Sequence, residues 1–256
     1  MLKEILVGTC GFSTKGGKKN YYKVFKVVEV QDTFYRIVRE ETLEKWRKEA
    51  PEDFEFTIKA FQGVTHTTSS PTWRRSNIKP DPSSKDNYGN FKPTKEVDDS
   101  WKYTLSAAKI LGSQFIVVQT PASFKPTEEN IENLRKFFQE KPRDNIIVGW
   151  EPRGAWYNNQ ELLSSLLKEL KLVHIVDPLK RPVLFHTETY YFRLHGLGRG
   201  DVNYRYKYTT EDLERLAEIL ENLSGKRAYI MFNNVYMYDN ALEFKEMLKN
   251  KGYNVL

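Results

Sequence analysis

Chemistry-bearing side chains stand where short apolar segments of this 256-residue chain end: Glu29, Lys59, Gln119, Glu151, Arg153, Asp177, Arg193, His195, Asn233 and Asn234. Residues 191–196 read YFRLHG and residues 231–234 read MFNN, each apolar at first and then abruptly polar. Glu29 and Glu151 have the chemistry of an acid–base pair, because neighbouring carboxylates in a secluded site have their pKa values pushed apart. His195 suits proton transfer, support of a carboxylate or metal ligation. Lys59, Arg153 and Arg193 suit an anion, the arginine fork matching phosphate or carboxylate oxygens. Gln119, Asn233 and Asn234 are placed to orient a substrate. Structural alternatives stand beside these roles: either glutamate can neutralise Lys59, Arg153 or Arg193, and His195 can hydrogen-bond a neighbouring strand. Lys59 as a Schiff-base lysine ranks below Lys59 as a phosphate ligand.

The elements that must position these groups follow from hydrophobic pattern. Strand-like runs rich in Val, Ile, Phe and Tyr occur at 5–7, 27–30, 54–58, 115–118, 146–150, 173–176, 190–194 and 229–232. Segments of helical period lie between them, with expected starts at Thr42, Thr127, Asn159, Thr209 and Asp239, and a further helix over 97–111. Asp212 follows Thr209 at capping-box spacing, and Gly252 suits a helix end. Alternating strands and helices with about eight strands predict an α/β fold: a single TIM-like (β/α) barrel of parallel strands spanning residues 1–256. Its catalytic groups are expected at the C-terminal strand ends, which gives the polar endings a common destination. The polar stretch 62–96, after the third strand, is long for a compact fold and reads as a lid, a binding loop or a mobile excursion. It carries Trp73, Arg74, Arg75, Lys79, Lys85, Lys92 and Lys95.

Composition narrows the setting. With 39% hydrophobic and 14% aromatic residues the chain can bury a substantial core. No apolar run approaches the ~20 residues of a membrane span, and the start has no signal-peptide pattern, so a cytoplasmic protein without membrane attachment or an evident obligate protein partner is expected. The single Cys10 fits a reducing compartment and reads as a small buried thiol. A net charge of +6, from 40 basic against 34 acidic residues, leans toward anionic small molecules or nucleic acid. Hard donors for a divalent metal exist in Glu29, Glu151, Asp177 and His195, but no HExxH or paired CxxC motif is present and His66, His174, His186 and His195 are scattered, so a metal is not favoured. A nucleophile elbow and a P-loop are both absent, and GLGRG at 196–200 is too irregular for a dinucleotide fingerprint. Tyr35, Trp73, Trp156 and Tyr206 are rim candidates for stacking on a sugar or base.

The ordered blocks VGTCGF, VVEVQDTFYR, FEFTIKA, VVQTPASF, WEPRGAW, YYFRLHG and MFNN resemble the YecE-like family of uncharacterised TIM-barrel-like proteins (domain of unknown function seventy-two), from about Val7 to Leu248. The resemblance implies a barrel with a polar pocket. By position it places Gly8, Thr9 and Gly11 at a turn beside the pocket, followed by Glu29, Thr33, Phe34, Tyr35 and Lys59. Gln119, Pro121, Glu151, Arg153 and Trp156 follow, then Arg193, His195, Gly196, Phe232, Asn233 and Asn234. Cys10 and Phe12 depart from the family's more usual residues, and Gly154 stands where a histidine commonly follows the arginine.

Three functions follow as expectations. The first is a barrel enzyme of hydrolase or lyase type acting by acid–base chemistry on an anionic, phosphorylated substrate. In it Glu29, Glu151 and His195 are catalytic, and Gly8, Thr9, Tyr35, Lys59, Gln119, Arg153, Trp156, Arg193, Asn233 and Asn234 bind substrate. The second is a nuclease or glycosylase using 62–96 as a clamp. The third is a non-catalytic ligand sensor.

Overall fold

The computed structural model describes every residue except Met1, Lys15 and Arg199. Eight strands form a closed barrel in sequence order: β1 (Leu2–Cys10), β2 (Val27–Val30), β3 (Glu55–Lys59), β4 (Phe115–Gln119), β5 (Ile147–Glu151), β6 (Val173–Val176), β7 (Thr189–Leu194) and β8 (Gly225–Phe232). Between and after them run α1 (Lys18–Val24), α2 (Asp32–Tyr35), α3 (Glu40–Glu49), α4 (Lys95–Leu111), α5 (Glu128–Glu140), α6 (Gln160–Glu169), α7 (Thr210–Glu221) and α8 (Met237–Asn250). All eight expected strands are present. Among the described residues no helix is long and apolar enough to cross a membrane.

The chain divides into two compact units. The first comprises Met1–Glu29, Ala50–Glu55 and Val173–Leu256. In it β1 pairs in parallel with β2 and β8, and β7 with β6 and β8. Gly8 lies opposite Met231, and Arg193 shares that register. Strand residues Val7, Phe192 and Ile230 are fully buried, as are Leu213, Leu216 and Ala217 of α7 and Phe244 and Leu248 of α8. Helix period and strand alternation therefore supply two apolar faces that close on each other.

The second unit comprises Val30–Glu49 and Phe56–Leu172, with β4 paired in parallel to β3 and β5. Ile58, Ile116, Val118 and Trp150 form its strand core, covered by Leu134 of α5 and Leu163, Leu166 and Leu167 of α6. Each such leucine contributes about 1.5–3 kcal/mol by burial.

Caps set several helix boundaries. Thr127 accepts from the Asn130 amide and Asn159 from the Leu162 amide. Thr209 and Asp212 make a reciprocal capping box. Two expected starts shift: α3 begins at Glu40 and α8 at Met237, so Thr42 and Asp239 lie within first turns. The first helical bonds run from Leu43 to the Arg39 carbonyl and from Asn240 to the Tyr236 carbonyl, which places each helix start ahead of the expected cap.

The stretch 62–96 is a pinned excursion. Gly89 and Phe91 donate backbone bonds of 2.9 and 3.0 Å to Gly63 and Val64, closing its base. Two short 3-10 turns, Pro71–Arg75 and Lys85–Asn87, lie along it. The buried Trp73 donates its indole N–H to the His66 carbonyl at 3.2 Å. Phe91 packs edge-on against Phe124 and tilted against Phe137.

Candidate functional site

Each unit holds its own contacts among chemistry-bearing side chains. In the second, Lys59 ends β3 with its ammonium 2.8 Å from Gln119 Oε1, at the end of β4. The same ammonium lies 3.6 Å from the centre of the Phe34 ring, a cation–π distance. Gln119 donates its amide to the Thr120 carbonyl at 2.8 Å, which fixes its oxygen toward Lys59. Two residues beyond the end of β5, Arg153 donates to Glu151 Oε1 at 3.2 Å. Lys59, Gln119 and Glu151 are all buried.

His66 joins this group. Sequence alone leaves it among scattered histidines, but the turn after β3, with amide bonds from Thr65 and His66 back to Gln62, carries it round. Its Nδ1 lies 2.7 Å from the Thr65 hydroxyl, and its ring meets Phe34 edge-on at 5.0 Å. Burial, then the positive charges of Lys59 and Arg153, lower its pKa to about 3. The imidazole is therefore held in its neutral form at physiological pH. The one available signal was proximity in sequence, seven residues after Lys59. Gly89 makes this placement feasible: at φ +81°, a Cβ there would lie 2.4 Å from the His66 carbonyl carbon.

The other predicted residues of this unit differ in accessibility. Trp156 is buried between Phe124, stacked at 5.6 Å, and Trp150, edge-on at 4.8 Å, so its ring is core and not rim. Tyr35 is partly exposed, and the Arg75 guanidinium lies over its ring at 3.5 Å.

In the first unit Glu29 is held on both oxygens. Arg193 Nε donates to Oε2 at 3.0 Å and Arg193 Nη2 to Oε1 at 2.9 Å, while the Tyr191 hydroxyl donates to Oε2 at 2.9 Å. Arg193 Nη2 also reaches the Cys10 sulfur at 3.8 Å. This geometry favours mutual neutralisation for Glu29 and Arg193. Gly8 lies within the β1–β8 ladder, and Thr9 is sealed, its hydroxyl donating to Gly11 and meeting the Tyr21 hydroxyl. Burial pushes Tyr21 well above its usual range.

His195, just past β7, has its amide on Asp177 Oδ2 at 3.3 Å and its Nδ1 3.1 Å from the Asn233 amide nitrogen. Asp177 also accepts from the Leu179 amide, a turn-forming use of the side chain. Asn234 donates to the Tyr206 carbonyl and to Asn240, which fastens the 203–208 segment. Gly196 permits a close approach by backbone: at φ +81°, a Cβ would lie 2.1 Å from the Asn203 carbonyl oxygen. Among the described residues no three His, Cys, Asp or Glu side chains gather to hold a metal ion.

A closed ring of eight strands with helices between them defines the class as a TIM-type (β/α)8 barrel. The chain belongs to the family described as protein of unknown function DUF72, which matches residues 10–255. It is 27% identical to the UPF0759 protein YunF of Bacillus subtilis (strain 168), over 90% of this chain and 84% of that protein. A solved DUF72 family protein from Thermotoga maritima is 27% identical, with a TM-score of 0.70, over 96% of this chain and 99% of that one. Endonuclease IV from Thermus thermophilus is similar in fold alone: 15% identity and a TM-score of 0.54, over 97% of this chain and 99% of that one.

Proposed function

We propose that this barrel is an enzyme that binds an anionic, phosphorylated substrate through Lys59 and Arg153 and transfers protons through Glu151, in hydrolase- or lyase-type chemistry. The observation that carries this reading is the pairing of β4 with β5, which sets Gln119 opposite Glu151 and so brings Lys59, bonded to Gln119, and Arg153, bonded to Glu151, to neighbouring strand ends beside the buried His66. Glu151 already pairs with Arg153, and two cations gathered beside one carboxylate make a site that attracts an anionic group. A phosphate group supplies that charge and accepts from both. Gln119 orients the Lys59 ammonium, and neutral His66 offers a hydrogen bond without adding charge. Glu151, already next to Arg153, is the carboxylate available for general acid–base work at the same cluster. Glu29 is assigned to holding Arg193, because that fork and Tyr191 occupy both its oxygens. His195, whose Nδ1 lies 3.1 Å from the Asn233 amide nitrogen, is the first unit's candidate for proton transfer.

The test is a thermal-shift screen of phosphorylated metabolites and oligonucleotides, followed by product analysis of each stabilising ligand with wild type and Glu151→Gln. The reading expects wild type to convert a phosphorylated ligand and Glu151→Gln to bind it without conversion. A ligand that stabilises both proteins equally and emerges unchanged from wild type supports a sensor instead. Stabilisation by oligonucleotides alone, falling steeply with salt, supports the nucleic-acid reading.

A further inference from the structure

We propose that the cavity lined by Gln31, Asp32, Tyr35, Arg36 and Arg75 is a second phosphate-binding subsite, taking a further phosphate of the same anionic substrate. The cavity measures about 170 Å³. This deepens the reading above and rests on it for the substrate, but the subsite stands on its own geometry.

Arg75 sets its charge. Asp32 is matched by Arg36, which donates to Asp32 Oδ1 from Nε at 3.1 Å and from Nη2 as well. Arg75 has no such partner: among the described residues no hydrogen bond or ion pair claims its guanidinium, which lies over Tyr35. Stacking on an aromatic face uses the π surface of the guanidinium and leaves its N–H edge to donate, the geometry that takes a phosphate bidentately.

The walls are fixed before any ligand arrives. Asn77, two residues past Arg75, accepts from the Ile37 amide and donates to the Ile37 carbonyl, each at 2.9 Å, tying the segment of Arg75 to that of Arg36. The Gln62 amide holds the Tyr35 carbonyl at 3.0 Å. Ser70 caps the 3-10 turn that presents Arg75, and buried Trp73 anchors that turn through His66. An arginine pre-oriented in this way loses less freedom on forming its bonds.

The subsite is also coupled by position to the Lys59 cluster. Lys59 sits on Phe34, Phe34 meets Tyr35 edge-on at 4.9 Å, and Tyr35 carries Arg75. Two cations are thus separated by two rings. The phosphates can belong to a free bisphosphorylated molecule or to successive links of a phosphodiester strand.

The experiment follows the Arg75 Nε–Hε resonance in 15N-labelled protein, assigned by its loss in Arg75→Lys. Wild type and Lys59→Met are each titrated with inorganic phosphate, pyrophosphate and a short oligothymidylate. The subsite predicts a saturable shift with inorganic phosphate in both proteins, with apparent affinities within about threefold of each other for independent sites. Saturation by oligothymidylate at tenfold lower concentration than pyrophosphate assigns the phosphodiester source, and the reverse order assigns the free one. No movement with any of the three ligands overturns the subsite. If Lys59→Met also abolishes phosphate stabilisation of the protein in that case, the Lys59 site stands without it. A shift present in wild type and absent in Lys59→Met marks relay from the Lys59 site and equally overturns the proposal.

Discussion

Substituting Glu29 by Gln preserves side-chain volume and removes one charge from a pair in which Glu29 is fully buried and Arg193 is 1% exposed. The Arg193 fork loses its carboxylate acceptor, and a guanidinium is left buried with amide chemistry where it had charge. Breaking such a pair from one side costs about 3–5 kcal/mol. At about 2–4 °C per kcal/mol for a chain of this size, the melting temperature falls by about 6–20 °C. Replacing both partners, as in Glu29→Leu with Arg193→Met, removes both charges and recovers at least half of that loss, since the cost arises from the unmatched ion. Urea denaturation of wild type, Glu29→Leu, Arg193→Met and the double variant gives the coupling energy directly, with Glu29→Gln measured beside them. Single variants within about 1 kcal/mol of wild type, or a double variant as unstable as the sum of the singles, refute the reasoning.

His66 predicts a pH dependence. Its folded pKa, about 3, lies below the unfolded value near 6.5, so the unfolded chain takes up a proton first as pH falls. Its contribution is intact above the unfolded value and is progressively lost down to the folded one, reaching about 3 kcal/mol by pH 4. His66→Gln flattens that part of the stability profile measured by urea melts at pH 7 and pH 4; parallel profiles contradict the assignment. Gly89→Ala adds a Cβ against the backbone of His66 and Thr67 at a positive φ, and costs more than about 1–2 kcal/mol with loss of phosphate binding, read by calorimetry. Gly196→Ala drives a Cβ into the Asn203 carbonyl and displaces the turn beyond His195. It lowers the melting temperature and shifts the His195 ring resonances, and an unchanged His195 spectrum contradicts the close approach.

The barrel was legible because each strand carries its own apolar run and polar ending, a local signal at every one of the eight strands. Thr127, Asn159 and Thr209 likewise announce their helices through chemistry confined to one turn. The candidate site was legible as a set of residue types: Lys59, Gln119 and Glu151 end their strands, and Arg153 follows two residues after β5. Which polar group serves another protein group was not legible, because that depends on partners far apart in sequence. Glu29 meets Arg193 across 164 residues, and Asn234 is taken by the Tyr206 carbonyl and by Asn240. His66 escaped because the turn after β3 breaks strand period at Phe61, and its importance comes from two charges delivered by other segments. The 62–96 excursion was left open between a lid, a binding loop and a mobile excursion because the bonds that close it join residues more than twenty apart.

The most direct measurement is calorimetric binding of pyrophosphate to wild type, Lys59→Met, Arg153→Met and Lys48→Met, the last removing an 80%-exposed lysine on α3. Each charge-assisted bond removed from a buried phosphate is worth about 1.5–3 kcal/mol, so Lys59→Met and Arg153→Met should each weaken binding at least tenfold while Lys48→Met stays within twofold of wild type. Equal affinities for all four proteins, or no binding by wild type, would contradict the anion site at Lys59 and Arg153.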